Sequence, residues 1–189
     1  MRTLVESIEA AFCSYKTLAD KAIAQVGDEA LFWTPSEESN SIAVIAKHIG
    51  GNLASRFTDF LTSDGEKPWR QRDEEFEAGT ATRQAVLAQW ERGWSVLLAT
   101  LASLTDADLT RGVTVRGEPL PVHGALHRSL AHTASHVGQI IYAAKASSGK
   151  DWATLSIPRR PSPSATQAPA PDRADDHRPR LPGGDDRPR

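Results

Sequence analysis

A single cysteine, Cys13, stands in 189 residues, so an internal disulfide is excluded. No charge of one sign dominates. The 22 Lys and Arg against 24 Asp and Glu give a net charge of -2, which supplies no positive field to gather nucleic acid or an anionic membrane. Long apolar runs are missing too. Lys, Glu, His or Arg breaks them every few residues, well short of the roughly 20 residues that a bilayer-crossing helix needs. No basic segment followed by an apolar run of about 7–15 residues opens the chain as a secretory leader would. The expectation is a soluble, cytoplasmic protein with neither nucleic acid nor membrane as a partner. A phosphate-cradling glycine loop, a dinucleotide fingerprint and a G-x-S-x-G elbow are also absent, which argues against nucleotide-dependent and serine-hydrolase chemistry.

Proline is scarce over most of the chain and dense at its end. Eight of the 12 prolines fall in residues 158–189, where Leu181 is the only large apolar side chain. Such a segment lacks backbone donors and apolar surface, so a disordered tail is expected over 158–189 and one folded domain over 1–157. Seven arginines and five aspartates put the tail at +2 and leave the domain at -4.

Within the domain, apolar residues recur at spacings of three and four. Leu4, Ile8, Phe12, Tyr15, Leu18, Ala22 and Val26 predict a first helix over 3–26,. Ile42, Ile45, Ile49, Leu53, Phe57 and Phe60 predict a second over about 41–62, weakened at Gly50-Gly51,. Residues 63–79 are polar, with Gly65, Pro68 and Gly79, and predict a long crossover loop,. Val86, Trp90, Trp94, Leu97 and Leu101 predict a third helix over 80–103, and Thr105-Asp106-Ala107-Asp108 a short helical turn after it,. The alternation in Val113–Val122 about Arg116-Gly117 predicts a small hairpin that must lean on helices for support,. A fourth helix follows from about Pro121 to Ser148, with Leu126, Leu130, Thr133, Val137 and Ile140 on one side,. Four long helices make an all-α bundle, with Trp33, Trp90 and Trp94 as core or dimer packing. Arg56 and Asp59 are spaced for an i, i+3 ion pair,.

Histidine is the sharpest signal. His123, His127, His132 and His136 all fall on the predicted fourth helix. They form two i, i+4 pairs, each able to share a metal ion, and periodicity does not choose between them. The first pair lies in the opening turn, where the helix dipole disfavours protonated imidazole, whereas the second lies deep enough to face a cavity, so His132 and His136 are preferred. A third ligand is needed, and His48, the remaining histidine of the domain, sits at the inner edge of the second helix. From spacing alone, ordinary hydrogen-bonded core or surface histidines are the favoured account. Asn52, one turn beyond His48, and Trp69 with Arg70 in the crossover loop are candidate substrate contacts. Cys13 has neither histidine nor arginine beside it in sequence, which argues against a catalytic thiolate.

The run KHIGGNLASRFTDFLTSDGEKPWRQRDEEFE at 47–77, with LTDADLTRGVTVRGEP at 104–119 and LAHTASHVGQIIYAAK at 130–145, resembles the DinB-like superfamily over nearly all of residues 1–158. The resemblance implies a four-helix bundle, often a homodimer, holding a divalent metal through three histidines at one end. The family's K-H-x-x-x-N histidine falls on His48, and its H-x-x-x-H-x-x-Q pair on His132 and His136, followed by Gln139. Related members are thiol-dependent S-transferases and isomerases. The implied partners are therefore a low-molecular-weight thiol and an electrophile, and the implied metal one that lowers a thiol's pKa. Three imidazoles suit Zn, Ni, Fe or Co. A metal-dependent hydrolase and a non-catalytic, metal-responsive dimer are the alternatives.

Overall fold

The three-to-four spacings become helices in the computed structural model, which describes residues 1–76 and 81–156. The tail expected over 158–189 lies outside these residues. Met1–Leu155 makes up one compact unit. This unit is mostly helical. It contains α1 (Thr3–Ile23), the short α2 (Asp28–Phe32), α3 (Ile42–Phe57), α4 (Arg83–Ser103) and α5 (Val122–Ser148). One antiparallel hairpin, β1 (Gly112–Val115) with β2 (Glu118–Pro121), precedes α5.

Helix starts follow local chemistry. Ser41 Oγ accepts from the Val44 N–H at 3.2 Å, and Thr82 Oγ1 from the Ala85 N–H at 3.3 Å, capping α3 and α4,. Pro121 immediately precedes α5, where its missing N–H costs nothing,. The hairpin closes through Arg116 and Gly117, both at positive φ, as a two-residue turn that matches strand twist requires,. Thr105 and Asp108 form a capping box on the helical turn Asp106–Thr110,.

The predicted second helix stops at Phe57 and does not reach 62. Thr58 leaves the helical region and Asp59 takes φ 49°, so the buried Phe60 is carried by a turn. That exit removes the expected Arg56–Asp59 pair. Arg56 instead donates to Glu66 Oε2 at 3.2 Å. Helix α1 ends three residues before Val26, and α4 begins at Arg83, one residue after its Thr82 cap. Leu4 is 60% exposed, because Asp106 Oδ1 accepts the N–H groups of Leu4 and Val5 and turns Val5 inward in its place. Trp90 and Trp94 are fully buried, whereas Trp33 is exposed.

Two glycines set the closest helix crossing. A Cβ on Gly50 of α3 would stand 2.5 Å from the Gln89 carbonyl oxygen of α4, and one on Gly93 would collide with the Gly50 carbonyl. The α3 and α4 backbones therefore touch without intervening side chains, which leaves the opposite flank of α3 to face α5.

Candidate metal centre

His48 projects from buried α3, and His132 and His136 project one turn apart from α5. His132 Nε2 lies 3.2 Å from His48 Nε2 and 3.2 Å from His136 Nε2. One ligand atom from each of the three histidines falls within 4.8 Å of the others. Two nitrogens bound to a single tetrahedral ion at about 2.0–2.1 Å stand about 3.3–3.4 Å apart. The observed spacing therefore fits a shared ion.

Proton accounting gives the same answer. His48 Nδ1 faces Glu75 Oε2 at 3.0 Å, and His136 Nδ1 faces Gln139 Oε1 at 2.7 Å. Both partners are acceptors, so each Nδ1 carries a hydrogen, and in the neutral ring that metal binding requires each Nε2 presents a lone pair. His132 Nε2 touches both lone pairs and can donate to only one. Burial, followed by His136 and His48, pushes the His132 pKa down to about 4, so an added proton does not relieve the contact at neutral pH. Burial likewise lowers His136, against the opposing hydrogen bond of Gln139. The arrangement is suited to a cation.

Glu75 comes from the crossover loop, in the helical turn Asp73–Glu75. Burial opposes its ionisation, but Arg70 and then His48 outweigh that and hold the carboxyl below its ordinary range. Arg70 Nε donates to Glu75 Oε1 at 2.8 Å and Nη2 to Oε2 at 2.7 Å, a two-pronged bond around a side chain only 2% exposed,. Gly51 makes room for this carboxylate, because a Cβ there would collide with Glu75 Oε1. The Phe76 ring lies 4.8 Å from the His48 ring, over one side of the site.

Beside the triad is a cavity of about 230 Å³ lined by His48 and His132, with Asn52, Phe57, Phe60 and Leu120 among its walls. The hairpin closes part of it. Asp64 accepts from the backbone N–H groups of Arg116 and Gly117 at 2.9 and 2.8 Å, tying the crossover loop to the turn.

The structure thus brings His48, His132, His136 and Asn52 together. Arg70 also lines the cavity, with its guanidinium committed to Glu75. Trp69 is 49% exposed and lines a separate depression with Gly50, Gly51 and Gln89. His123 and His127 are exposed, their ring centroids 6.3 Å apart, and join no metal-sized cluster among the described residues. Partial burial, and then Glu9, raise the Cys13 thiol above its ordinary range. Sequence reasoning missed Glu75 and Gly51. The acidic run Asp73-Glu74-Glu75 marked the place, but nothing in a loop without periodicity distinguishes one carboxylate from its neighbours.

Among the described residues, no helix is long and apolar enough to cross a membrane. No curated protein matches the chain. A family model described as a protein of unknown function (DUF1572) matches residues 1–161. That match spans most of the sequence, and the chain belongs to the DUF1572 family.

Proposed function

We propose that this protein is a DinB-like four-helix bundle that holds one divalent metal through His48, His132 and His136. We further propose that it is a metal-dependent enzyme acting on a low-molecular-weight thiol and an electrophile. The observation that carries the metal reading is the meeting of three Nε2 atoms, two of them on rings whose Nδ1 faces an acceptor, Glu75 for His48 and Gln139 for His136. A divalent ion held by three neutral imidazoles keeps its charge and supplies Lewis-acid chemistry that lowers the pKa of a thiol or of water.

The chain's own residues do the rest. Glu75 orients His48 and makes it a stronger donor, and Gln139 orients His136. Arg70 keeps Glu75 ionised, so this carboxylate is engaged by His48 and Arg70 and is not a spare base. Phe57, Phe60 and Leu120 give the cavity dry walls beside His48 and His132. Three protein ligands, with no fourth in the cluster among the described residues, leave room for a reactant,. The choice of a thiol over water rests on the DinB-like resemblance, as does a homodimer, for which light scattering is the check.

The test pairs elemental analysis of untagged protein with a thiol panel run against common electrophiles, before and after chelation. The expected result is about one divalent ion per chain and thiol consumption that depends on the metal and is lost in His48→Ala. Ester or amide hydrolysis without any thiol would replace this reading with a hydrolase. Metal binding with no turnover of either kind would favour a non-catalytic protein.

A further inference from the structure

The cavity beside the histidines holds more positive charge than the triad requires. Five guanidinium groups line it, those of Arg56, Arg70, Arg72, Arg116 and Arg128. Two carboxylates serve three of them. Glu66 accepts from Arg56 Nη2 at 3.2 Å and Arg116 Nε at 2.7 Å, and Glu75 accepts from Arg70. Among the described residues Arg72 pairs with Asp73 alone, at 3.7 Å, and its guanidinium lies over the Phe76 ring, 5.2 Å from the centroid. Arg128 has no hydrogen-bond or ion-pair partner among the described residues. Like charges gathered around one low-dielectric hollow repel each other, and an anion entering it would relieve that repulsion.

Two buried donors sharpen this picture. Arg56 Nη1 is sealed from solvent without a hydrogen-bond partner, although its Nη2 is bonded. Ser129 is 8% exposed, lines the same cavity, and its Oγ has no partner either. A buried polar group without a partner costs roughly 1–3 kcal/mol, and two beside one cavity mark a place built for an acceptor. Ser129 and Arg128 stand on α5 in the turn before His132, and Arg56 stands two turns beyond His48 on α3. Arg56, Arg128 and Ser129 therefore share two helices with His48 and His132, and all five residues line the same cavity.

We propose that this cavity is a subsite for an oxyanion carried by the substrate, a carboxylate or a phosphate, held by Arg56, Arg128 and Ser129. Its volume of about 230 Å³ admits a small anion or the charged end of a longer molecule,. The remainder of that molecule then faces His48 and His132. The inference rests on the metal-dependent reading above for its catalytic meaning, but the arginines and the serine stand apart from the metal ligands, so the two are separable by experiment.

The experiment titrates the full chain with succinate, its uncharged diamide and inorganic phosphate by calorimetry at low ionic strength, with the metal loaded and after chelation. Succinate or phosphate is expected to bind, with the tighter of the two assigning the group, and the diamide to bind at least about tenfold more weakly. Arg128→Gln, an exposed position where folding is not at issue, is expected to weaken anion binding about tenfold with metal content unchanged. Ser129→Ala is expected to weaken it less. Equal binding of the diamide, or anion binding that survives both Arg128→Gln and Arg56→Gln yet vanishes on chelation, would overturn the subsite. Anion binding by a protein that takes up no metal would uphold the subsite and remove the metal-dependent reading instead.

Discussion

Glu75 Oε2 stands 3.0 Å from His48 Nδ1, across 27 residues of chain. It makes a loop carboxylate the partner that orients a helix-borne ligand. Glu75→Gln keeps an acceptor but removes the charge, and a change of this kind costs roughly 10–100-fold in metal affinity. Competition with a coloured chelator should show that loss, with the helical circular dichroism unchanged.

His132→Ala or His136→Ala should bring metal content to background, while His123→Ala and His127→Ala keep it near the wild-type ratio. Elemental analysis of the four purified variants decides between two pairs that are equally spaced in sequence. Loss in the His123 and His127 variants alone would transfer the site to the start of α5.

Acid should weaken the chelated protein through His132. Its folded pKa of about 4 lies below the ordinary value of 6.5, so between these limits the unfolded chain binds the proton and the folded chain does not. This contribution to stability is therefore whole above about pH 6.5 and is lost as pH falls toward 4. Urea midpoints compared near neutrality and near pH 5 should drop less in His132→Asn than in the wild type. Equal drops would mean that His132 is not the group responsible.

Gly50→Ala and Gly93→Ala should each destabilise the fold by about 1–3 kcal/mol, the usual cost of overpacking, because the added methyl meets backbone rather than a side chain that can swing away. A calorimetric melting temperature lower by several degrees is the expected reading. Gly51→Ala should behave differently, with a smaller effect on melting and a larger one on metal affinity, since its added methyl displaces the Glu75 carboxylate.

The helices and the triad were legible because both obey a period. Ile42, Ile49, Leu53 and Phe57 mark one face of α3 and place His48 on its border, and an i, i+4 step places His132 and His136 together. Glu75 has no such marker. It is recruited by Arg70 and by the space at Gly51, and both relationships exist only after the crossover loop has folded back on α3. In sequence Arg70 looks like a substrate contact, because an exposed aromatic beside a cation suits an anionic ligand, yet its side chain is buried against Glu75. The end of α3 was hidden for a related reason. Phe60 continues the apolar period, but Asp59 at φ 49° breaks the backbone while leaving that ring inside.

His48 and His132 lie 84 residues apart. His132 and His136 can meet on an isolated stretch of α5, but His48 reaches them only when α3 has docked, and closing a loop of that length in a flexible chain costs about 4 kcal/mol. An ion held by all three would therefore act as a tether between two distant parts of the chain and bind the folded form far better than the unfolded one. Its grip would become a gauge of folding, with melting temperature rising with the logarithm of free metal. Starvation for the metal would then lower the amount of folded protein as well as emptying its site.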